Sequence, residues 1–196
     1  TLIATSVISP FMVPLKILLM SAFLLALPFV LWQVWAFVAP GLYSHEKKLV
    51  LPLVVSSTVL FFIGVAFCYY FVFGQVFAFI QSFAPKSITA APDIEAYLSF
   101  VLSMFLAFGL AFEVPIAVVV LARMGVVSIE KLKNFRGYFI VIAFVIAAIV
   151  TPPDVVSQLA LAVPMCILYE IGIWAAQLFI KHTKAPNAAE EETASS

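Results

Sequence analysis

Two glutamates stand out because each lies within a long, otherwise apolar stretch: Glu113 and Glu170. A carboxylate in such a stretch is energetically expensive when the stretch crosses a membrane. Pro115 follows Glu113 by two positions and, inside a helix, removes one backbone donor and clashes with the carbonyl of Ala111. We therefore expect a kinked helix at Glu113, whose carboxyl group docks a partner or binds a proton. For both acids the alternative is a packing role. Glu170 is interpreted as a second buried acid, and for it the functional role and the packing role remain equally open.

A second set of polar residues lies where two apolar stretches meet. Thr151, Asp154 and Gln158 surround the pair Pro152-Pro153, which predicts a tight connection between two helices. Asp154 is expected to be a solvated turn acid that caps the following helix. Thr151 and Gln158 are polar enough to offer hydrogen bonds to a partner helix instead.

Glu46 belongs to a polar turn, beside His45, Lys47 and Lys48. A carboxylate there can bind a guanidinium group through two parallel hydrogen bonds. The alternative is a local role in which Ser44 caps the next helix and Glu46 complements the helix dipole. From the residues alone, the local role is favoured.

The elements that must position these residues are membrane-spanning helices. Of 196 residues, 65% are hydrophobic and 10% charged, and the mean hydropathy is +1.18. Soluble domains carry about a quarter charged residues, and disordered chains are less hydrophobic. The apolar runs are continuous rather than alternating, which excludes barrel strands. The fold class is therefore an all-α polytopic membrane protein, and its formal net charge of +0 gives no field that would attract nucleic acid.

Metal and redox chemistry are not indicated. The two cysteines, Cys68 and Cys166, lie in apolar runs, and the two histidines do not form a cluster with them. Because no Cys-x-x-Cys pattern occurs, we expect packing cysteines, no metal site and no cofactor.

Charges and prolines divide the chain into five predicted spans within one transmembrane domain, residues 1–180. The spans are 17–38, 49–73 (extending as far as residue 80), 96–122, 137–151 and 155–180, with Asp93 as a helix cap and a disordered tail at 181–196. The fourth span would be about 22 Å long, whereas the hydrocarbon core is about 30 Å thick. Either the bilayer thins there or the 151–158 tip is recessed, unless the helix begins earlier, near Lys133.

Basic residues predict the orientation. One end of the bundle would hold Lys47, Lys48, Arg123, Lys131, Lys133, Arg136, Lys181 and Lys184, and the other only Lys16 and Lys86. Cytoplasmic loops carry the basic excess. Thr1 is therefore expected outside and Ser196 in the cytoplasm.

Four segments carry a family resemblance. The run from Gln33 to Lys48 resembles the signature of TatC, the core subunit of the twin-arginine protein translocase. Residues 97–100, 111–115 and 151–158 agree in order and spacing. The family has six spans with both termini cytoplasmic and a concave bundle. The resemblance therefore implies one further helix before residue 1, whose outer loop would end within residues 1–14.

The resemblance also implies roles for the residues. Glu46 would meet the paired arginines of signal peptides on the cytoplasmic face of a bacterial inner membrane, which reverses the local interpretation. The same site would include Leu42, Phe37, His45, Lys47 and Lys48. Polar and partner-docking positions would be Glu113, Pro115, Thr151, Asp154, Gln158 and Glu170. The partners would be the single-span subunits TatA and TatB and further copies of this chain, and folded cargo would be exported by the protonmotive force without a cofactor.

Two other classes of function compete with this interpretation. A secondary transporter would use Glu113 as its proton or ion site, but such transporters often contain paired repeats, and no repeat relates the two halves of the sequence. An intramembrane enzyme would need a catalytic motif, and neither H-E-x-x-H nor G-x-S-x-G occurs. We therefore expect a protein that is not an enzyme.

Overall fold

The structure, a computed structural model, describes residues 3–38, 50–83, 93–151 and 154–183. These residues form eight α-helices and one π-helical segment. The helices are α1 (Ser9–Val38), α2 (Val50–Phe67), α3 (Phe73–Phe83), α4 (Ile94–Ala111), α5 (Val114–Arg123), α6 (Ile129–Asn134), α7 (Arg136–Val150) and α8 (Val155–Thr183), and the π-helical segment Cys68–Val72 joins α2 to α3.

Five apolar helical stretches correspond to the five predicted spans. Four are long enough to cross a membrane, namely Ser9–Val38, Val50–Phe79, Ile94–Arg123 and Val155–Ile180, and the shorter fifth is Arg136–Val150. The all-helical prediction is confirmed within the part of the chain that the structure describes. The first helix begins at Ser9 rather than at residue 17, since Lys16 is held by a partner and does not end the helix. The last continues to Thr183, and residues 184–196 of the predicted tail lie outside the described residues.

The third span is interrupted beside Glu113. Helix α4 ends at Ala111 and α5 begins at Val114, so Phe112 and Glu113 form a turn between them. The Glu113 amide bonds to the Leu110 carbonyl at 3.1 Å, three residues back rather than four. Pro115 has no amide hydrogen with which to continue the ladder. The break therefore occurs where the proline predicts it.

The fourth apolar helix is short. Helix α7 has 15 residues, which gives about 22 Å. The preceding α6 is a separate helix capped by Ser128, and Phe135 lies between α6 and α7. The alternative start of the fourth span near Lys133 is wrong, because α7 begins at Arg136 and Phe135 separates it from α6.

Close contacts at two glycines hold the longer helices together. A Cβ atom at Gly109 on α4 would lie 2.4 Å from the Phe61 ring on α2, and one at Gly172 on α8 would lie 2.9 Å from the Pro115 Cα atom on α5. Phe61 is 1% exposed. These contacts place α2 against α4 and α5 against α8, and so fix the position of the break at Glu113 relative to its neighbours.

Candidate functional site

The Glu113 carboxyl group lies inside the bundle, and its oxygens have unused hydrogen-bonding capacity in the part of the chain that the structure describes. Both of its oxygens are buried and have no hydrogen-bond partner among the described residues. The Ser57 side chain of α2 faces this carboxyl group. The Ser57 hydroxyl is fully buried and accepts a hydrogen bond from Trp35 Nε1 at 2.9 Å, and its own proton can still be donated toward Glu113. Buried polar atoms are normally paired, so the two Glu113 oxygens keep hydrogen-bonding capacity beyond the single donor that Ser57 can offer among the described residues.

The second predicted polar group is a hairpin between α7 and α8, and much of it bonds within the chain. The Thr151 hydroxyl, which is buried, donates to the Ala147 carbonyl at 2.7 Å. Asp154 Oδ2 accepts from the Ser157 amide at 2.7 Å, so Asp154 caps α8 as predicted. The Gln158 amide reaches the Phe144 carbonyl at 3.5 Å, a long contact across the two helices.

Two atoms of this hairpin have no partner among residues 151 and 154–183 or elsewhere in the described part of the chain. Asp154 Oδ1 and Ser157 Oγ are buried, and neither makes a hydrogen bond among the described residues. The expectation that Asp154 is a solvated acid is therefore wrong for this oxygen, because the atom is buried. Ser157 was not singled out from the sequence. Its spacing of three residues from a helix-capping aspartate places it beside Asp154, but its burial depends on how α7 and α8 pack.

Glu170 is not buried, contrary to the sequence-based expectation. Its side chain is 49% exposed and forms an ion pair with Arg136 at the start of α7. One carboxylate oxygen lies 2.6 Å from Arg136 Nε, and the other accepts from Nη2 at 2.7 Å. This two-pronged geometry matches the guanidinium to the carboxylate. Glu170 therefore joins α8 to α7 on an outward face.

A further polar cluster, missed in the sequence, joins the starts of α1 and α4. Lys16 Nζ donates to Glu95 Oε1 and to Ser99 Oγ, both at 2.9 Å. The Ser9 hydroxyl donates to Glu95 Oε2 at 2.9 Å. Lys16 and Glu95 are 79 positions apart, so no local pattern reveals the pair. All four polar groups have partners, which indicates a structural connection.

Asp93 strengthens the same connection from the segment before α4. Its carboxylate accepts hydrogen bonds from the Thr5 amide at 3.1 Å, the Thr5 hydroxyl at 2.9 Å and the Ala96 amide at 3.1 Å. Bonds to the charged form, first that from the Thr5 amide and then that from Ala96, hold the pKa of Asp93 below its usual value. The predicted helix cap at Asp93 is confirmed.

The predicted peptide-binding residues fall mainly outside the described part of the chain. Leu42, His45, Glu46, Lys47 and Lys48 belong to the segment 39–49, which the structure does not describe. Phe37, in the last turn of α1, is described and is 86% exposed. It is therefore a large apolar side chain available next to that segment.

The fold and these polar groups define a class of protein. Several apolar helices, long enough to cross a membrane and enclosing unpaired polar atoms, make this a multi-pass α-helical membrane protein. The family model for the Sec-independent protein translocase protein (TatC) matches residues 1–164. The chain belongs to the TatC family, which confirms the resemblance seen in its motifs.

Individual relatives agree with this assignment. The TatC protein of Halothiobacillus neapolitanus is 54% identical over 192 residues, which are 98% of this chain and 52% of the relative. The Escherichia coli K12 TatC protein is 49% identical over 180 residues, 92% of this chain and 70% of the relative. The chain thus spans about half the length of the first relative.

A solved structure matches as well. The crystal structure of a twin arginine translocase receptor, TatC, superposes with a TM-score of 0.80 at 43% identity, covering 90% of this chain and 78% of that chain. The family is a component of a protein translocase, which is a transport role and not an enzymatic one.

Proposed function

We propose that this protein is the membrane subunit of a twin-arginine translocase that receives signal peptides on its cytoplasmic face. The observation that carries the proposal is the family match over residues 1–164. The likeness to a protein described as a twin arginine translocase receptor supports it. The same assignment favours a translocase over a secondary transporter that uses Glu113. Basic residues at the ends of α5 and α6 support a bacterial inner membrane protein with that end in the cytoplasm.

The peptide site would centre on Glu46. A carboxylate can bind a guanidinium group of a paired-arginine peptide through two parallel hydrogen bonds, worth about 1.5–3 kcal/mol net and less where water has free access. His45 and Leu42 would line the site. The Phe37 ring, exposed at the end of α1, would add apolar contact for the peptide. Lys47 and Lys48 would repel arginines, so the peptide must approach Glu46 from the side away from them.

The experiment replaces Glu46 with glutamine and measures signal-peptide crosslinking together with export of a paired-arginine substrate. Glu46→Gln should reduce both strongly, since it removes the charge and little volume. Glu130→Gln is the matched control, because Glu130 is an exposed acid on α6 near the same end of the bundle. Membrane insertion should be normal in both variants. Undiminished crosslinking in Glu46→Gln would remove Glu46 from the site.

Assembly with the single-span subunits TatA and TatB would use the unpaired polar atoms. Glu113, Asp154 Oδ1 and Ser157 Oγ lack partners among the described residues, and a polar side chain on a docked helix could satisfy them in the low dielectric of the membrane. Further copies of this chain would complete the receptor. Export of folded cargo would then be driven by the protonmotive force.

The length of α7 supports a recessed hairpin or a thinned bilayer beside it. A helix of 15 residues spans about 22 Å, less than the roughly 30 Å hydrocarbon core. Val155→Cys, at the exposed start of α8, should react slowly with a membrane-impermeant thiol reagent added from outside. Val7→Cys is the control, because Val7 is 99% exposed and lies before α1 at the same end. Equal reactivity of the two cysteines would exclude the recess.

A further inference from the structure

Three consecutive hydroxyl groups on α2 differ in what they bond to. The Ser56 hydroxyl donates to the Pro52 carbonyl at 2.7 Å, and the Thr58 hydroxyl donates to the Val54 carbonyl at 2.8 Å. Serine and threonine inside helices often bond back to their own helix in this way. Ser57 lies between these two residues, is fully buried and makes no such bond among the described residues. Its proton is therefore available to a different group.

The Ser57 oxygen is held by Trp35 of α1. Trp35 Nε1 donates to Ser57 Oγ at 2.9 Å, although the two residues are 22 positions apart. An indole nitrogen only donates, whereas a hydroxyl has one proton to donate and two lone pairs with which to accept. Trp35 therefore uses one lone pair of Ser57 and leaves the hydroxyl proton for an acceptor elsewhere.

The acceptor that faces Ser57 is the Glu113 carboxyl group, at the break between α4 and α5. Both Glu113 oxygens are buried and can accept further hydrogen bonds. Because buried polar groups are normally paired, the Ser57 proton and a Glu113 oxygen complement each other. The three side chains thus lie in series, from α1 through α2 to the start of α5.

The indole ring of Trp35 is itself fixed by packing. Trp35, Val54 of α2 and Val120 of α5 form one buried apolar cluster, and Trp35 is 8% exposed. Val120 follows Glu113 by seven residues, about 10 Å along the helix. Packing against two neighbouring helices therefore fixes the direction of the indole N–H group. A side chain that is locked in this way can orient the group to which it bonds.

We infer that Trp35 and Ser57 are positioning residues for Glu113. Trp35 holds the Ser57 oxygen, the Ser57 hydroxyl donates toward one Glu113 oxygen, and the other oxygen is left for the docked partner helix. The inference rests on the proposed docking role of Glu113. It adds a link to α1, because Trp35 lies four residues before the segment 39–49, which contains the proposed peptide site. A shift of this end of α1 would therefore change the orientation of the Glu113 carboxyl group.

The first test is spectroscopic and does not depend on export. Infrared difference spectra of the full chain against Glu113→Gln identify the stretching band of the Glu113 carboxyl group. Ser57→Ala removes the donor and should shift this band. Trp35→Phe should shift it in the same direction, because the Ser57 hydroxyl is then free to turn to its own helix. Ser56→Ala removes the neighbouring hydroxyl and should leave the band in place. An unshifted band in Ser57→Ala or in Trp35→Phe would overturn the inference.

The second test measures export, signal-peptide crosslinking and thermal unfolding on the same preparations. Trp35→Phe and Ser57→Ala should each lower export about two- to tenfold while crosslinking persists. Neither should lower export further in a Glu113→Ala background, because residues that act through one group are not additive. Trp32→Phe is the matched control, since Trp32 lies on α1 but is 44% exposed; it should change nothing.

The two tests separate this inference from the proposed function. Further, additive losses of export in the Glu113→Ala background would overturn the positioning role, because Trp35 and Ser57 would then act independently of Glu113. If Glu113→Ala left export unchanged while the infrared shifts were present, the docking role of Glu113 would fail and its positioning by Trp35 and Ser57 would stand.

Discussion

Two polar regions of this protein differ in whether their side chains have partners. At the starts of α1 and α4, Lys16, Glu95, Ser9 and Ser99 form a closed set of hydrogen bonds. At the break between α4 and α5, both Glu113 oxygens are buried and unbonded among the described residues. Unpaired buried polar groups are costly. The first region therefore stabilises the fold, whereas the second retains binding capacity at the expense of stability.

Removing the unpaired carboxyl group should produce the largest functional effect. Glu113→Ala should lower export about tenfold or more, through a late step or partner assembly, while signal-peptide crosslinking persists. Thermal stability should change little, because a buried polar group is removed together with no more than the weak contact from Ser57 among the described residues. Export, crosslinking and thermal unfolding are measured on the same preparation. Glu113→Gln separates the loss of charge from the loss of the polar group.

A packing variant provides the comparison for misfolding. In Gly109→Ala the new Cβ atom would meet the Phe61 ring at 2.4 Å, and overpacking of this kind destabilises by about 1–3 kcal/mol. Its crosslinking and export should fall together, with a lower unfolding temperature. If Glu113→Ala showed this same pattern, Glu113 would belong with the structural groups and the contrast between the two regions would fail.

Breaking the closed set of hydrogen bonds should lower stability and leave the export by each folded molecule unchanged, which is the opposite of the effect expected for Glu113→Ala. Lys16→Gln leaves Glu95 without its cationic partner and weakens the bond to Ser99, so the unfolding temperature should fall by a few degrees. Export should fall only as far as the amount of folded protein does. The double variant Lys16→Gln/Glu95→Gln should recover part of the loss, because no unpaired charge remains. Independent, additive effects of the two substitutions would show that the pair is not coupled.

The smallest expected effect is a pH dependence at Asp93. Hydrogen bonds from Thr5 and Ala96 lower its pKa in the folded protein. Its stabilising contribution is therefore fully present above the unfolded pKa, about 3.9, and is lost as the pH falls through the lower folded value. Asp93→Asn keeps a capping oxygen but cannot titrate, so its unfolding temperature should depend less on pH below about 4. Identical acid profiles of the two proteins would contradict this role.

Several parts of the fold were predictable because their causes are local. The apolar runs produce the five helical stretches, and Pro115 interrupts the third beside Glu113. Asp93 and Asp154 cap helices through hydrogen bonds to amides three residues on. Each of these features depends on residues within a few positions of one another, so the order of residues is sufficient to predict it.

The partners of charged side chains were not predictable in the same way. Glu170 and Arg136 are 34 positions apart, and their pairing leaves Glu170 on an outward face. Ser157 is fully buried in the packed bundle, although its position one turn into α8 does not indicate this. A sequence identifies polar residues in apolar stretches, but it does not state which helix faces meet.

The amino-acid sequence by itself therefore determined the membrane class, the helical stretches, the break at Pro115 and the family motifs, because composition and short-range backbone chemistry decide them. The tertiary structure alone decided which polar atoms are paired. It assigned Lys16 to Glu95 and Arg136 to Glu170, and left Glu113, Asp154 Oδ1 and Ser157 Oγ without partners among the described residues. The physical reason is that pairing depends on the packing of helices distant in sequence, which brings some polar groups within hydrogen-bond distance and encloses others in apolar surroundings.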